Sequence, residues 1–383
     1  MNPPLYLDYN ATTPVDPRVL EAMLPYLREH YGNPSSDHEY GRRAKAAVET
    51  AREQVAELIG ARPGEIVFTG CATEANNLAI LGAARALKQS GRSGLLHSAV
   101  EHPSVAQPMR HLAEAGWTVA ELPVGAAGRV DPARAAAAIA AHVALVSLML
   151  ANNEVGTIQP VRVIADLAHA AGALMHVDAA QAVGKIPVDV DVLGCDLLTL
   201  AGHKFYAPKG VGALYIRGGT PLQPIQYGAS HEGGLRPGTE NVPHIVALGE
   251  AARLARAGLE VESARIQTLR DDLHARLAAA IPGLLLNGHE TERLPNTLNL
   301  SFPGVAGWQL LAAAPDVAAS TGSACHAGLH AASGVLGAMG LSGERAAGAV
   351  RLSLGRFTTE IEVGIAGKSL IDSWQRLIAS NTR

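Results

Sequence analysis

The most reactive pairing in this 383-residue sequence is a lysine beside a histidine at the end of an apolar run. Ala201-Gly202-His203-Lys204 follows Leu197–Leu200. A desolvated lysine amine adds to carbonyl groups, which makes Lys204 a candidate Schiff-base lysine, although a lone lysine in such a place reads first as a solvated loop residue. The run Leu174–Val177 ends in Asp178, 26 residues before Lys204, with Gln181 three residues on. A carboxylate there could be a metal ligand, a helix N-cap or the partner of a buried cation, and no Cys/His cluster at metal-ligand spacing accompanies it. The small residues of Gly70-Cys71-Ala72-Thr73-Glu74 precede a helical pattern. Such a turn lets backbone N–H groups and the Thr73 hydroxyl approach an anion, while a threonine there is equally an ordinary N-cap. No Gly-Lys-Ser/Thr follows, so it is not a P-loop. Together the lysine, the carboxylate and the anion turn match what pyridoxal phosphate requires: an amine for its aldehyde, an acid for its pyridinium nitrogen, a helix N-terminus for its phosphate. His102, in Val100-Glu101-His102-Pro103, again follows a strand-like run and could stack on such a ring. Asn152, in Asn152-Asn153-Glu154, could donate to the ring hydroxyl.

These groups must be positioned by the elements before them. Seven short apolar runs read as buried strands: Glu65–Thr69, Leu95–Ser98, Thr118–Leu122, Ala144–Leu150, Leu174–Val177, Leu197–Leu200 and Ala213–Ile216. Helical patterns at Ala44–Ile59, Glu74–Lys88, Pro103–Ala115, Pro132–Ala141 and Val161–Ala171 separate them. That alternation predicts an α/β fold, a mostly parallel seven-stranded sheet with helices on both faces. In such a sheet ligands sit outside the carboxyl ends of the strands, where these residues lie. The last third changes character: a long helix over Ala251–Ala280, a strand at Thr297–Phe302, a helix at Gly307–Ala314, a glycine-rich stretch from Gly322 to Gly343, a strand at Arg351–Leu354 and a helix over Thr359–Ala379. We expect a large domain over 15–255 and a smaller α+β domain formed by 1–14 with 256–383.

Composition narrows the class. Lys and Arg number 31 against 35 Asp and Glu, net −4, which gives no electrostatic footprint for nucleic acid. Aromatics at 4% leave little for base stacking. The most apolar window, Ala135–Ala151, is interrupted by His142 and Ser147 and is shorter than a membrane span needs. Met1–Leu5 has neither a basic region nor a long apolar stretch, so no signal peptide is expected. Three cysteines, at 71, 195 and 325, are too few and too odd for a disulfide framework and point to a reducing cytoplasm. Cys325 differs from the other two in lying among small and glycine residues from Ser320 to Gly328, a loop setting that suits a thiolate nucleophile.

The ordered set Leu7-Asp8-Tyr9-Asn10-Ala11-Thr12-Thr13-Pro14, Tyr31-Gly32-Asn33-Pro34-Ser35, Ala72-Thr73-Glu74, Glu101-His102, Asn152-Asn153-Glu154, His176-Val177-Asp178-Ala179-Ala180-Gln181, Gly202-His203-Lys204, Arg236-Pro237-Gly238-Thr239 and Gly322-Ser323-Ala324-Cys325 resembles the cysteine desulfurases and selenocysteine lyases of the NifS-like class V aminotransferase family. The likeness runs from Leu7 to about Glu360. It implies the fold type I architecture of pyridoxal-phosphate transferases, with Lys204 as the Schiff-base lysine, Asp178 on the pyridine nitrogen, His102 stacked on the ring and Gln181 on its hydroxyl. It further implies that Thr73, His203 and, from the other subunit of a homodimer, Thr239 hold the phosphate. Asn152 and Arg351 would take the substrate carboxylate, with Asn10 and Asn33 also at the substrate site. An arginine suits a carboxylate because its planar fork matches it bidentately.

In the family, Cys325 would attack the sulfur of L-cysteine, keep it as a persulfide and release alanine. The length of chain from Cys325 to Val335 resembles the branch that passes its persulfide to acceptor proteins, and His326 could assist a proton transfer. Three departures bear on the phosphate site: Ala201 stands where many members have serine, Gly228-Ala229-Ser230 replaces three glycines, and Gly70-Cys71 replaces Ser-Gly. Leu148–Glu154, Gly202–Tyr206 and Arg236–Asn241 look closer to selenocysteine lyases, so L-selenocysteine is the alternative substrate and amino transfer a third reading. A non-catalytic relic would have no reason to keep Cys325. A nicotinamide dehydrogenase would need the Gly-x-Gly-x-x-Gly turn that is missing after the first strand.

Overall fold

Seven runs bounded by turns and separated by helices can bury both faces of a sheet, and the chain does so. The computed structural model of the protein describes residues 3–321 and 333–381. After β1 (Leu5–Tyr6), helices α1 (Pro17–Arg28) and α2 (Glu39–Leu58) lead to β2 (Ile66–Thr69). Helix and strand then alternate through α3 (Ala72–Leu87), β3 (Gly94–Ser98), α4 (Pro103–Glu114), β4 (Thr118–Leu122), α5 (Pro132–Ala138), β5 (Val143–Met149), α6 (Val161–Ala170), β6 (Leu174–Asp178), α7 (Val190–Leu193), β7 (Leu197–Ala201) and β8 (Gly212–Ile216). Beyond them come α8 (Val242–Ala280), β9 (Leu285–Asn287), β10 (Thr297–Ser301), α9 (Gly307–Ala313), β11 (Val317–Ala318), α10 (Gly334–Ala338), α11 (Gly343–Ala347), β12 (Ala349–Ser353) and α12 (Glu360–Asn381).

The seven expected runs are the seven strands of one sheet, each within one residue of its expected bounds, in the order β2-β8-β7-β6-β5-β3-β4. Only β8 runs antiparallel to its neighbours. Adjacent strand residues face different cores. Phe68, Leu96, Val146 and Leu198 pack with α1, α2, α6 and the start of α8. Val67, Leu95, Leu145 and Leu197 pack with α3 and α4 on the other face. Burial on both faces explains why these strands read as continuous apolar runs rather than alternating ones. The strand order reverses between β3 and β5, which opens the crevice expected of such sheets at their carboxyl ends.

A third core gathers Leu7, the second half of α8, β10, β12 and α12 around a three-stranded antiparallel sheet ordered β12-β10-β9. The N-terminal strand β1 pairs in parallel with β11, so the first residues of the chain lie beside its last third. Helix α8 begins nine residues before the expected Ala251, because Pro243 falls in its first turn, where a missing N–H costs nothing. It runs unbroken through position 255. Its residues up to Ala255 belong to the first core and those from Ile266 to the third. Helix α1, absent from the sequence reading, opens on an Asp16 N-cap and contains Pro25.

Candidate active site

Strand ends supply the first set of groups. Asp178 closes β6, level with Met149 of β5 and Thr199 of β7. Its buried carboxylate accepts the Ala180 N–H at 3.0 Å and the Asn76 amide at 2.8 Å, and among the described residues it forms no ion pair. The same Asn76 Nδ2 donates to Ser104 Oγ at 2.8 Å, and Ser104 Oγ lies 2.8 Å from His102 Nδ1. His102 caps α4: Nδ1 accepts the Ser104 N–H at 3.1 Å. That bond leaves the ring proton on Nε2. Burial lowers the His102 pKa, with Asp178 opposing and Lys204 adding to the shift. Glu101 beside it accepts Ser98 Oγ at 2.6 Å and the Met149 N–H at 2.8 Å, and burial pushes its pKa up to about 8. It therefore carries a proton at neutral pH and adds no second negative charge next to Asp178.

Lys204 ends a short turn, Gly202–Lys204, that follows β7. Its Nζ donates to the carbonyls of Asn10 at 2.7 Å and Ala11 at 2.8 Å. Burial, then the charge of Arg351, bring its pKa down to about 8, against Asp178 and Asp8. Two residues on, Tyr206 sits in the left-handed region at φ 74°. Such a conformation is costly for a side-chain-bearing residue. It is held by Thr13 Oγ1 on its N–H at 2.9 Å and by the Arg356 N–H on its hydroxyl at 2.6 Å. His203 Nδ1 lies 3.1 Å from Thr12 Oγ1, and burial with Lys204 and Lys209 brings its pKa to about 4, so the imidazole is neutral.

The turn after β2 lies two strands away. Gly212 of β8 pairs with both Thr69 and Ala201, so the ends of β2 and β7 flank one residue. A Cβ on Gly212 would stand 2.8 Å from Leu200 O and 3.1 Å from Ala72 N, so only glycine lets the start of α3 close on β7. Cys71 occupies the N-cap of α3 without a side-chain bond to the helix, and Thr73 is exposed in its first turn. The N-terminal amides of a 16-residue helix are thus left to meet an anion. Arg236, from the segment that carries Thr239, bonds Glu74 Oε1 at 2.9 Å; Thr239 itself is exposed.

The second set of groups comes from sequence-distant places. Arg351, buried on β12, donates from Nη1 to Asn153 O at 3.0 Å and from Nη2 to Asp8 Oδ1 at 2.7 Å, and its Nε is buried without a partner among the described residues. Asn10 joins this set to Lys204. Its carbonyl accepts Lys204 and, at 2.9 Å, Gln181 Nε2. Its amide donates to Thr297 Oγ1 at 2.8 Å and Asn153 O at 3.2 Å, and its Oδ1 accepts Asn296 at 3.0 Å and Lys185 at 3.3 Å.

Hydrogen bonds join Asp178 to His102 through Asn76 and Ser104, and join Gln181, Lys204 and Arg351 through Asn10 and Asn153 O, while Asp178 acts on Lys204 by charge alone. Two residues expected to meet ligands are engaged by protein. Every polar group of Asn10 has a protein partner. Asn152 is buried, accepting the Glu154 and Val155 N–H groups and donating to Val100 O, so it shapes the turn after β5. Asn33 is exposed and bonds its own loop through Ser35. Cys325 and His326 lie outside the described residues. Asn76, Ser104, Asp8 and Lys185 were missed. The spacing of Lys185, one helical turn after Gln181, and of Asn76, three residues after Thr73, was the available signal.

A fold and a site of this kind define a class. The sequence profile of the family described as "Aminotransferase class-V" matches residues 5–365. A cysteine desulfurase IscS of Anaeromyxobacter sp. (strain Fw109-5) is 46% identical over 380 residues, covering 98% of this chain and 94% of its own. A cysteine desulfurase of Nostoc sp. is 46% identical over 361 residues, covering 94% and 90%. Among solved structures, a NifS-like protein superposes with a TM-score of 0.90 at 38% identity over 96% of this chain and 98% of that one. SspA in complex with cysteine does so at 0.81 and 34%, over 92% and 99%.

The chain belongs to the class V aminotransferase family, whose members depend on pyridoxal phosphate. Within that family it is a cysteine desulfurase, and the selenocysteine lyase alternative is not favoured. The residues fit the cofactor. A carboxylate free of ion pairs, an amine whose pKa is lowered, an uncapped helix N-terminus and an imidazole with its proton on Nε2 are the donor set it needs. Among the described residues no helix is long and apolar enough to cross a membrane.

Proposed function

We propose that the protein takes sulfur from L-cysteine, giving L-alanine and a persulfide on Cys325 that an acceptor protein then receives. Lys204 would hold the cofactor covalently, Asp178 its ring nitrogen, Gln181 its ring hydroxyl and His102 its face. The α3 amides with Thr73, His203 and Thr239 of a second subunit would hold the phosphate. Pyridoxal phosphate, when bound, supplies the electron sink for the carbon from which sulfur departs.

The chain's own groups do the rest. Arg351 would orient the substrate through its carboxylate, with Asn33 in the expected site and with Asn10 and Asn152, whose polar groups are bonded to protein, shaping the wall around it. Lys204 Nζ takes the proton from the substrate α-carbon. Its depressed pKa suits that task, because about a tenth of the amine is then free at pH 7, far more than an ordinary lysine offers. Cys325 Sγ, as thiolate, attacks the substrate sulfur; the carbon–sulfur bond breaks with its electron pair left on carbon, which is protonated to complete alanine. One observation carries this reading. The described ends of the segment bearing Cys325 both meet the Arg351 wall: Ser320 pairs with the Arg351 backbone in both directions, at 2.7 and 3.3 Å, and Ser333 Oγ bonds the buried carboxylate of Glu154. The reading includes a homodimer, a cytoplasmic location, and a division into residues 15–255 and 1–14 with 256–383.

The test is alanine release from L-cysteine and from L-selenocysteine, side by side, by wild type and Cys325→Ala. The variant should keep the borohydride-sensitive imine band and lose alanine release from cysteine. Full desulfuration by the variant would remove Cys325 from its role.

A further inference from the structure

Lys185 is a lysine for which neither the fold nor the proposed chemistry has so far given a use. It lies one turn beyond Gln181, and its Nζ donates to Gln181 Oε1 at 2.7 Å and to Asn10 Oδ1 at 3.3 Å. Among the described residues it makes no ion pair. The other groups around it are Glu262, Arg356, Tyr9 and Tyr206, which line a small cleft with it, and Lys204 and Arg351, whose charges act on it from the site side. Burial, reinforced by those two charges, lowers its pKa well below the usual lysine value, which suits an amine whose two hydrogen bonds both end on neutral amide oxygens.

The amide of Gln181 has two ends, and its function depends on which end faces the cofactor. Its Nε2 donates one hydrogen to Asn10 O at 2.9 Å, which leaves the second for the ring hydroxyl. Were the amide reversed, Oε1 would face the Asn10 carbonyl and the ring oxygen, acceptor against acceptor. We propose that Lys185 is a positioning residue that holds Gln181 in the donating orientation by bonding its Oε1, and through Asn10 couples that orientation to Lys204. This rests on the assignment of Gln181 to the ring hydroxyl. Because a donor favours the deprotonated ring oxygen, loosening Gln181 must raise the pH at which the bound cofactor loses its proton.

The test is a double-mutant cycle read by absorbance, not turnover. Holoenzymes of wild type, Lys185→Met, Gln181→Ala and the double variant are titrated with pH while the imine band is followed. Lys185→Met should raise the midpoint by about half a unit or more, the scale of one hydrogen bond. The double variant should titrate like Gln181→Ala alone, since Lys185 acts through Gln181. Lys185→Arg, which keeps a donor, should stay near wild type and serves as the readout if the methionine variant does not fold. An unchanged midpoint in Lys185→Met, additive shifts in the double variant, or a Lys185→Arg midpoint as far displaced as that of Gln181→Ala would each overturn the proposal. A wild-type protein with no borohydride-sensitive band would instead sink the cofactor assignment, so the two failures are distinguishable.

Discussion

The two walls of the site are built in opposite ways. The proposed cofactor wall consists of groups that follow strands of one sheet: Asp178 on β6, Lys204 after β7, His102 after β3 and the α3 turn after β2. Each is placed by the apolar run immediately before it. The proposed substrate wall consists of Arg351 on β12, held by Asp8 and Asn153, with Asn10, Asn296 and Thr297 behind. These residues come from both ends and the middle of the chain, and only the packing of β1 and β12 beside the loop after β5 assembles them. Breaking the first wall should cost chemistry and cofactor together, whereas breaking the second should cost substrate alone.

The largest effect should follow from Lys204→Ala. It removes the amine proposed to hold the cofactor and move the proton, so alanine release should fall about 10³-fold or more, the scale of a lost general base. The borohydride-sensitive band should vanish in the same variant. A variant that keeps the band would show that another amine bonds the cofactor. Arg351→Lys keeps the positive charge and loses the planar fork. KM for cysteine should rise about thirtyfold, equivalent to roughly 2 kcal/mol, with the band intact. A variant that lost the band as well would erase the distinction between the walls.

That distinction also decides what the sequence could show. The strand runs, their order along the chain and the groups at their ends are local features, because a fully buried strand must be apolar throughout and the residue that follows it must meet the crevice. Asp178, Lys204 and His102 were legible for that reason. Arg351 was not, since an arginine ending a short strand reads as a surface residue, and only the family resemblance singled it out. Of the partners that fix these groups, only Lys185 and Asn76 left a signal, in their spacing from Gln181 and Thr73. Taken singly, Asn76 reads as an interior helix position and Lys185 as a solvated lysine, and Asp8 lies beyond β1 and bridges Ser353 of β12, more than 300 residues away. The engagement of Asn152 by its own turn was equally hidden, because an asparagine after a strand fits a ligand donor and a turn former alike.

The walls do meet electrostatically, and pH should reveal it. In its proposed role Lys204 must be unprotonated to add to the cofactor aldehyde, and its pKa lies at about 8, well below the ordinary lysine value. The rate at which the apoprotein captures the cofactor should therefore rise about tenfold per pH unit and level off above the Lys204 pKa, not near the ~10.4 of a free lysine. Arg351 is the largest charge contributing to that depression. Arg351→Ala should move the plateau to higher pH and Arg351→Lys should leave it in place, as stopped-flow traces of the imine band would show.

The smallest effect concerns Asp8, where the substrate wall already contains a carboxylate. Its Oδ1 sits 2.7 Å from Arg351 Nη2, on the guanidinium proposed to bind the carboxylate of cysteine. Asp8→Asn preserves shape and an acceptor oxygen while removing the charge. Arg351 would still be held by Asn153 O, and the approaching substrate would no longer face a negative neighbour. KM should therefore fall about threefold, in keeping with the modest worth of a partly exposed ion pair, with kcat unchanged and thermal stability slightly reduced. A rise in KM would mean that Asp8 aims the guanidinium rather than competing for it. The substrate wall would then be preorganised by charge, as the cofactor wall is by its strands.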